Sequence, residues 1–453
     1  MLVPYMKDPI HVCLKKFLEA NCAPQKPILI GFSGGPDSLA LLHLLLECSK
    51  EFPCEIHVAH VDHGWREESA KEAEDLKIQI EALGLPFYHK RLQNKPQKNL
   101  EEEGRKERLA FFESLTLEKK FQALVLGHHR DDQAETVLKR IFEAAFISNV
   151  RGLQPISTLN GMQIWRPLLP FSKKELIDWL TQNKLIPLND SSNEDLKFLR
   201  ARLRTQIMPY LEDHFGKEIK KTLSRIGDQA AELSVYLNKK IAPWLKGVEE
   251  GPFGFYIDFL PFPCIEKLEF IYLLKTLAQQ ENILLSHHVL EILWTNIFAR
   301  ESNKKTIVKD IQIICDRGIL FWIKQTPCFL FDVPVETNTF KEKNWKWSIS
   351  CTAFNRGSKC TQGWRDAWKG EVIAALPAKF LRAAPYKTSA QLKKGDLLRN
   401  WWTEKKVPAF MRSFFPLIWD GNEVLHEFLT NSPQTQTSET FKMVKIQIEK
   451  NFH

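Results

Sequence analysis

Gly31, Phe32, Ser33, Gly34, Gly35, Pro36, Asp37 and Ser38 stand between an apolar run at 27–30 and a helical one that begins at Leu39. The pattern reads as a strand, a glycine-rich turn and a helix start. Such a turn aims several backbone N–H groups and a helix N-terminus at one point, which suits a phosphate. Ser33 and Ser38 add hydroxyl donors, and Gly34 and Gly35 let the backbone come close to an anion. Asp37 would repel phosphate unless a cation lay between them, so the turn points to Mg²⁺ as well. The plainer reading is a tight turn that caps a helix.

Other clusters carry chemistry too. His60, Val61, Asp62, His63, Gly64, Trp65 and Arg66 close a second apolar run. There Asp62 and His63 suit an adenosine or a metal-bound phosphate, or simply a polar strand end. Arg105 and Arg108 lie three apart on a charged helical stretch. They share a face and can grip a phosphate, or belong to a solvated, ion-paired helix. Gly127, His128, His129, Arg130, Asp131, Asp132, Gln133, Ala134, Glu135 and Thr136 follow a strand and open a helix. Asp132 and Glu135 sit at i, i+3. Such a pair can bind an ammonium or a metal, act as a base, or complement the helix dipole. Trp165, Arg166, Pro167, Leu168 and Leu169 precede another helix. Asn189, Asp190, Ser191, Ser192 and Asn193 come next, then Arg200, Arg202 and Arg204, alternately spaced and suited to a negatively charged substrate.

The first 150 residues must position these groups. Strand-like runs at 27–32, 55–61, 87–92 and 123–127 alternate with helical runs at 38–48, 67–83, 100–115 and 132–146. This spacing predicts an α/β fold with a parallel, doubly wound sheet. The glycine turn, the 60–63 cluster and the 127–129 cluster all fall at the carboxyl ends of its strands, where ligands bind in such folds. A long helix is predicted over 217–244, then a middle region of weak signal to about 330. Short β-like runs at 312–315, 318–323, 347–352 and 414–419 suggest a small α+β domain at the end. Residues 430–440 read as a polar loop.

The chain has 453 residues, 44% of them hydrophobic and 26% charged, with no run of 18 apolar residues that would span a membrane. The N-terminal stretch lacks the apolar segment of a signal peptide. Nine cysteines, none in a C-x-x-C pair, fit reduced thiols in a cytoplasmic protein rather than a zinc or iron–sulfur site. The net charge is +8, and it is uneven. Residues 376–412 hold nine Lys/Arg against two acids, with Trp401, Trp402 and Phe410 interleaved. That mixture suits a polyanion with stackable bases, or a basic face beside an aromatic core.

The turn at 31–38 resembles the Ser-Gly-Gly-x-Asp-Ser loop of the N-type ATP pyrophosphatases, and neither a Walker A loop nor a dinucleotide fingerprint. Taken in order with the His-Val-Asp-His-Gly stretch, the Arg105–Arg108 helix, the His-His-x-Asp-Asp-Gln-x-Glu-Thr run, Arg-Pro-Leu-Leu and the Asp-x-Ser-Asn and arginine segments, it resembles the tRNA(Ile)-lysidine synthase family. The likeness is strong over 27–212 and returns at 398–428. Gly104 and Leu109 stand where that family usually has Ala and Tyr, and Asn189 where it has Glu. Residues 143–149 replace its usual glycine-rich loop.

The resemblance implies a Rossmann-like ATP pyrophosphatase domain over 1–216, a linker helix and mainly helical middle domain over 217–330, and a small α+β tRNA-binding domain over 331–453. It implies ATP and Mg²⁺ as cofactors, and as substrates free L-lysine and tRNA(Ile) with a CAU anticodon. ATP would meet Ser33, Gly34, Gly35, Pro36, Asp37, Ser38, His60, Asp62 and His63, with Asp37 on the metal. Asp37, Arg108, Asp132 and Glu135 would be catalytic, the last two also binding lysine. Arg105, Arg200, Arg202, Arg204, Lys393, Lys394, Arg399, Lys405, Lys406 and Arg412 would meet tRNA. A tRNA thiolase of the same superfamily is the nearest enzymatic alternative, but that chemistry normally uses a C-x-x-C pair. A non-catalytic RNA-binding protein with a degenerate nucleotide fold is the other.

Overall fold

The computed structural model describes residues 8–62, 69–92, 100–188, 199–216, 218–261, 265–354, 359–392, 397–430 and 440–450. The chain divides into two compact units, Met1–Tyr236 and Leu237–His453.

The first unit opens with α1 (Pro9–Asn21), capped by the Asp8 carboxylate and started by a proline whose missing N–H costs nothing there. It continues β1 (Ile28–Gly31), α2 (Pro36–Ser49), β2 (Ile56–Asp62), α3 (Ser69–Ala82), β3 (Phe87–Arg91), α4 (Leu100–Lys119), β4 (Leu124–Leu126) and α5 (Arg130–Phe142). A hairpin of β5 (Ile156–Leu159) and β6 (Met162–Trp165) follows, then α6 (Lys173–Gln182), α7 (Leu199–Arg202) and α8 (Met208–Phe215). The sheet order is β3-β2-β1-β4-β6-β5, parallel except for the edge strand β5. Leu29 and Ile30 are fully buried because helices cover both faces, which is why β1 reads as a continuous apolar run rather than an alternating one. The expected doubly wound sheet is present.

Strand order reverses at β1. β2 and β3 lie on one side of it, and β4, the next strand in sequence, on the other. The crevice at such a switch point opens between the segments that follow β1 and β4. Those segments are the glycine turn and the His128–His129 pair.

Two sequence expectations shift. The helix expected to reach 146 ends at Phe142, because Ala144 takes a left-handed φ of 50° and a 3₁₀ turn over Ile147–Arg151 follows. The β5–β6 hairpin adds an element where no strand is expected.

Helix α9 (Ile219–Lys246) fulfils the long helix expected there, and the division between units falls within it. The second unit continues β7 (Val248–Gly251), β8 (Gly254–Asp258), α10 (Lys267–Gln280), α11 (His287–Phe298), β9 (Lys304–Val308), β10 (Ile311–Asp316) and β11 (Ile319–Ile323). Then come β12 (Val333–Pro334), β13 (Asn338–Glu342), β14 (Trp345–Ala353), α12 (Trp364–Ala367), β15 (Glu371–Pro377) and β16 (Arg382–Ala384). The unit closes with α13 (Leu398–Glu404), β17 (Leu417–Asp420), β18 (Glu423–His426) and β19 (Phe441–Lys450). They form sheets ordered β7-β8-β11-β10-β9, β12-β16-β17-β18 and β13-β14-β19-β15. One apolar core runs through all three and takes Phe253, Tyr256 and Phe321 together with Trp345, Trp368, Trp402 and Phe414. The packing is therefore continuous across residue 330.

Candidate active site

The glycine turn is held by its own hydroxyls. Ser38 Oγ donates to Gly35 O at 3.0 Å, Ser33 N–H donates to Ser38 Oγ at 3.2 Å, and Gly35 N–H to Ser33 Oγ at 3.4 Å. Gly34 has φ +81°, and a Cβ there would stand 2.8 Å from Leu188, whose N–H bonds Gly34 O. Only glycine takes that conformation at no cost. At the end of β4, a Cβ on Gly127 would lie 2.8 Å from Asp37 O, so the two lips of the crevice touch through a missing side chain.

His129 joins the two lips. It is fully buried and caps α5, with Nδ1 accepting from Asp131 N–H at 3.2 Å. Its Nε2 lies 3.5 Å from Asp37 Oδ2 and 3.5 Å from Asp132 Oδ2. Burial opposes its charge, but Asp37, Asp132 and Asp131 outweigh that and raise its pKa. The cap bond needs the Nδ1 lone pair, so the proton of the neutral ring sits on Nε2, facing both carboxylates. Asp37 keeps its other oxygen, Oδ1, buried with no hydrogen-bond partner. An orphaned carboxylate oxygen beside a phosphate turn is the donor a hard cation requires, so the residues present fit Mg²⁺.

Asp132 and Glu135 do share one face, but they hold guanidiniums where an ammonium was expected. Arg200 donates from Nη2 to Asp132 Oδ1 and from Nε to Glu135 Oε2, both at 2.9 Å. Arg204 donates from Nε to Glu135 Oε1 at 2.8 Å and from Nη2 to Asp132 Oδ1 at 3.1 Å. A π-type turn, Leu203–Ile207, follows α7 and carries Arg204 onto the same pair. Burial would raise the Asp132 pKa, but His129, Arg200 and His128 bring it down to about 2. A carboxylate held that low is ionised at neutral pH and is matched to a cationic partner. Arg200 and Arg204, expected on tRNA, are committed in this structure to the acid pair. The sequence could not show this pairing, which spans more than sixty residues.

Around this centre lie the other expected groups. His60, at the end of β2, donates from Nδ1 to Phe32 O at 2.9 Å and stacks on His89. Burial lowers its pKa. Asp62 is buried, with Arg91 Nε 3.4 Å from Oδ2. His63 lies outside the described residues, as do the 189–193 segment, Lys393 and Lys394. Arg108, on α4, is near enough that its charge disfavours protonation of His128. Arg105 is exposed on the same helix, and Arg202 is exposed on α7. Gln133 was missed by sequence reading. Its amide donates to Arg151 O at 2.9 Å and accepts from Leu153 N–H at 2.5 Å, fastening the chain to α5 just after the 3₁₀ turn.

In the second unit the basic–aromatic stretch divides. Trp402 is a core residue whose Nε1 donates to buried Glu427 at 2.7 Å, and Phe410 packs edge-on against Phe321. Trp402 offers no face to a base, and Phe410 is half-buried. Trp401 is half-buried and carries Lys405 Nζ 4.5 Å from its ring centre. Arg412 donates to Thr403 Oγ1 and Val407 O and lies over Trp402, so it clips this fold rather than reaching outward. Arg399, Lys405 and Lys406 are exposed.

Comparison with known proteins matches residues 6–211 to a PP-loop domain family. Over 439 residues the chain is 36% identical to a tRNA(Ile)-lysidine synthase of Protochlamydia amoebophila (strain UWE25), covering 96% of each chain. It is 34% identical over 303 residues to the tRNA(Ile)-lysidine synthase of Chlamydia muridarum (strain MoPn / Nigg), covering 65% of this chain and 92% of that one. The corresponding Chlamydia pneumoniae protein is 34% identical over 308 residues, 66% of this chain and 94% of that one. No described helix is long and apolar enough to cross a membrane. With the phosphate turn at the switch point, the histidine-bridged acids beside it and a likeness that runs nearly end to end, this chain belongs to the tRNA(Ile)-lysidine synthase family.

Proposed function

We propose that this enzyme joins free L-lysine to C2 of the wobble cytidine in a CAU-anticodon isoleucine tRNA, through an adenylated tRNA, with release of AMP and pyrophosphate. The observation that carries this is the full-length likeness to lysidine synthases, joined to a PP-loop turn whose acid keeps one oxygen free. The C2 oxygen is a poor leaving group until it is adenylated, and two steps split one difficult displacement.

The turn's N–H groups and Ser33 and Ser38 hold the β- and γ-phosphates, and the departing pyrophosphate gathers charge there. Mg²⁺, held by Asp37, would offset that charge. Arg108, whose charge acts on His128, suits the attacked phosphate. Asp132 and Glu135 remain the proposed seat of the lysine ammonium. Two guanidiniums now supply the positive charge that the pair requires. An entering ammonium would displace Arg200, whose side chain is 44% exposed against 28% for Arg204. Residues 1–216 would carry this chemistry, 217–330 the connection, and 331–453 the tRNA contacts through Arg399, Lys405 and Lys406.

The test is nucleoside analysis of a CAU-anticodon isoleucine tRNA after incubation with the full chain, ATP and lysine. Lysidine with stoichiometric AMP is the expected result. AMP release that is indifferent to lysine, with no new nucleoside, would overturn the proposal.

A further inference from the structure

Arg166 has no part in the chemistry described so far. It follows β6 directly, and β6 pairs in parallel with β4, Val125 opposite Trp165. Arg166 and His128 therefore leave neighbouring strands at the same carboxyl edge of the sheet. The Arg166 residue is 8% exposed. Its Nη1 donates to Gln154 O at 2.9 Å and to Ser157 Oγ at 2.8 Å, which fixes the plane of the guanidinium. Its Nε is buried without a partner, and no ion pair is found for it among the described residues. The charge that acts on it is another cation, Arg105. Beside it, His128 Nδ1 is also buried with no partner.

A buried guanidinium with no counter-ion is costly; its two hydrogen bonds offset part of that cost, and an anion would offset the rest. Burial and Arg105 bring the Arg166 pKa down to about 10, still charged at neutral pH. Burial also holds His128 neutral, at about 3; the charge of Asp132 favours its protonation, and those of Arg166, Arg200 and Arg108 disfavour it. Charges of both signs thus act on one neutral, buried imidazole. A ligand whose ammonium and carboxylate share one carbon can use both signs of charge, the acids for its ammonium and Arg166 for its carboxylate. A nucleic-acid phosphate is bulkier, and it would be met by exposed side chains rather than by one this deep.

We propose that Arg166, oriented by Ser157 and neighboured by His128, is an anion-binding subsite that takes the α-carboxylate of the amino-acid substrate. The inference rests on the proposed function and deepens it. It accounts for how a free amino acid is told from a simple amine, since the ε-amine and the chain are common to both.

The experiment compares lysine with lysinamide, which keeps both amines and lacks the carboxylate, in steady-state lysidine-type transfer by the full chain. Wild type should favour lysine. Arg166→Gln should raise the lysine KM about ten- to a hundredfold, as expected when one charge-assisted hydrogen bond is removed, and leave the lysinamide KM within twofold. Affinity for tRNA, its salt dependence and the ATP KM should not move. Ser157→Ala should shift the same ratio in the same direction by a smaller factor, as should Arg166→Lys if the glutamine variant does not fold. Equal losses for lysine and lysinamide, or a fall in thermal stability with an unchanged ratio, would make Arg166 a structural residue only. A changed tRNA salt slope would assign the anion to a phosphate. Either result overturns the proposal. Wild type that makes no lysidine at all defeats the functional reading instead, so the two failures are distinct.

Discussion

At the scale of single residues, Asp37 and His426 make the sharpest demands. Asp37 is a carboxylate with one oxygen buried and unpaired, an arrangement that stability alone does not favour. Asp37→Asn keeps the shape and halves the reason for a cation. Its tRNA-dependent AMP release should fall by at least a hundredfold while its melting temperature is unchanged or higher. Full activity in that variant would remove the metal from the reading. His426 is a different case. Burial against Phe428 brings its pKa from 6.5 down to about 4. As pH falls from about 6.5 towards 4 the unfolded chain takes up a proton that the folded one refuses, so stability is present above this window and is lost through it. The slope is roughly 1.4 kcal/mol per pH unit. Glu427 next to it is raised by burial, against the bonds from Thr430, Trp402 and Leu429, and contributes the opposite slope. Glu427 is common to wild type and His426→Gln, so their difference isolates the histidine. Melting curves at pH 7 and 5 should show a smaller acid loss in the variant, and parallel losses would place His426 in contact with water.

At the scale of elements, the two helices that exchange ions are the working parts. Glu135→Gln leaves Arg204 without half of its partner on α5. With Glu135 nearly buried and the arginines partly exposed, the loss should be about 1–2 kcal/mol in a denaturant titration. Adenylated tRNA should accumulate in this variant with lysine present. If adenylation fails and the lysine KM stays normal, the pair serves the ATP side of the crevice. How far these elements can be read beforehand follows from range. β1 and its turn were legible because Leu29 and Ile30 are buried on both faces and the glycines follow at once. The β5–β6 hairpin was not, since the edge strand leaves Ile156 and Leu159 part-exposed and so breaks the apolar pattern. Asp132 and Glu135 were legible as a pair, but their arginine partners were not, because nothing local to either segment marks the other. Whether Trp402 and Phe410 stack on bases or pack in a core was not legible, because spacing cannot distinguish a face towards solvent from one towards Phe321 and Glu427.

At the scale of the whole molecule, the continuous core of the second unit governs what can be cut. Phe253 lies 5.6 Å from Trp345 and 5.4 Å from Trp368 between ring centres, and Phe321 lies 4.9 Å from Phe410. A chain ended at 330 would lack those partners and should bind a hydrophobic dye and aggregate, so truncation is a poor probe of tRNA binding. Arg399→Ala with Lys405→Ala in the full chain is the better one. The tRNA affinity should fall, and the log–log salt slope should drop by roughly one for each phosphate that is no longer neutralised. An unchanged slope would make these residues plain surface. The same core also sets an order in time. Residues 253–323 leave the ribosome well before their partners, which extend to Ile448. At about 5–20 residues per second the wait is on the order of ten seconds. The first unit, whose sheet is complete in sequence by β6, can settle while synthesis continues. The second cannot, and during that interval its aromatic face is the part of the nascent chain with most need of a chaperone.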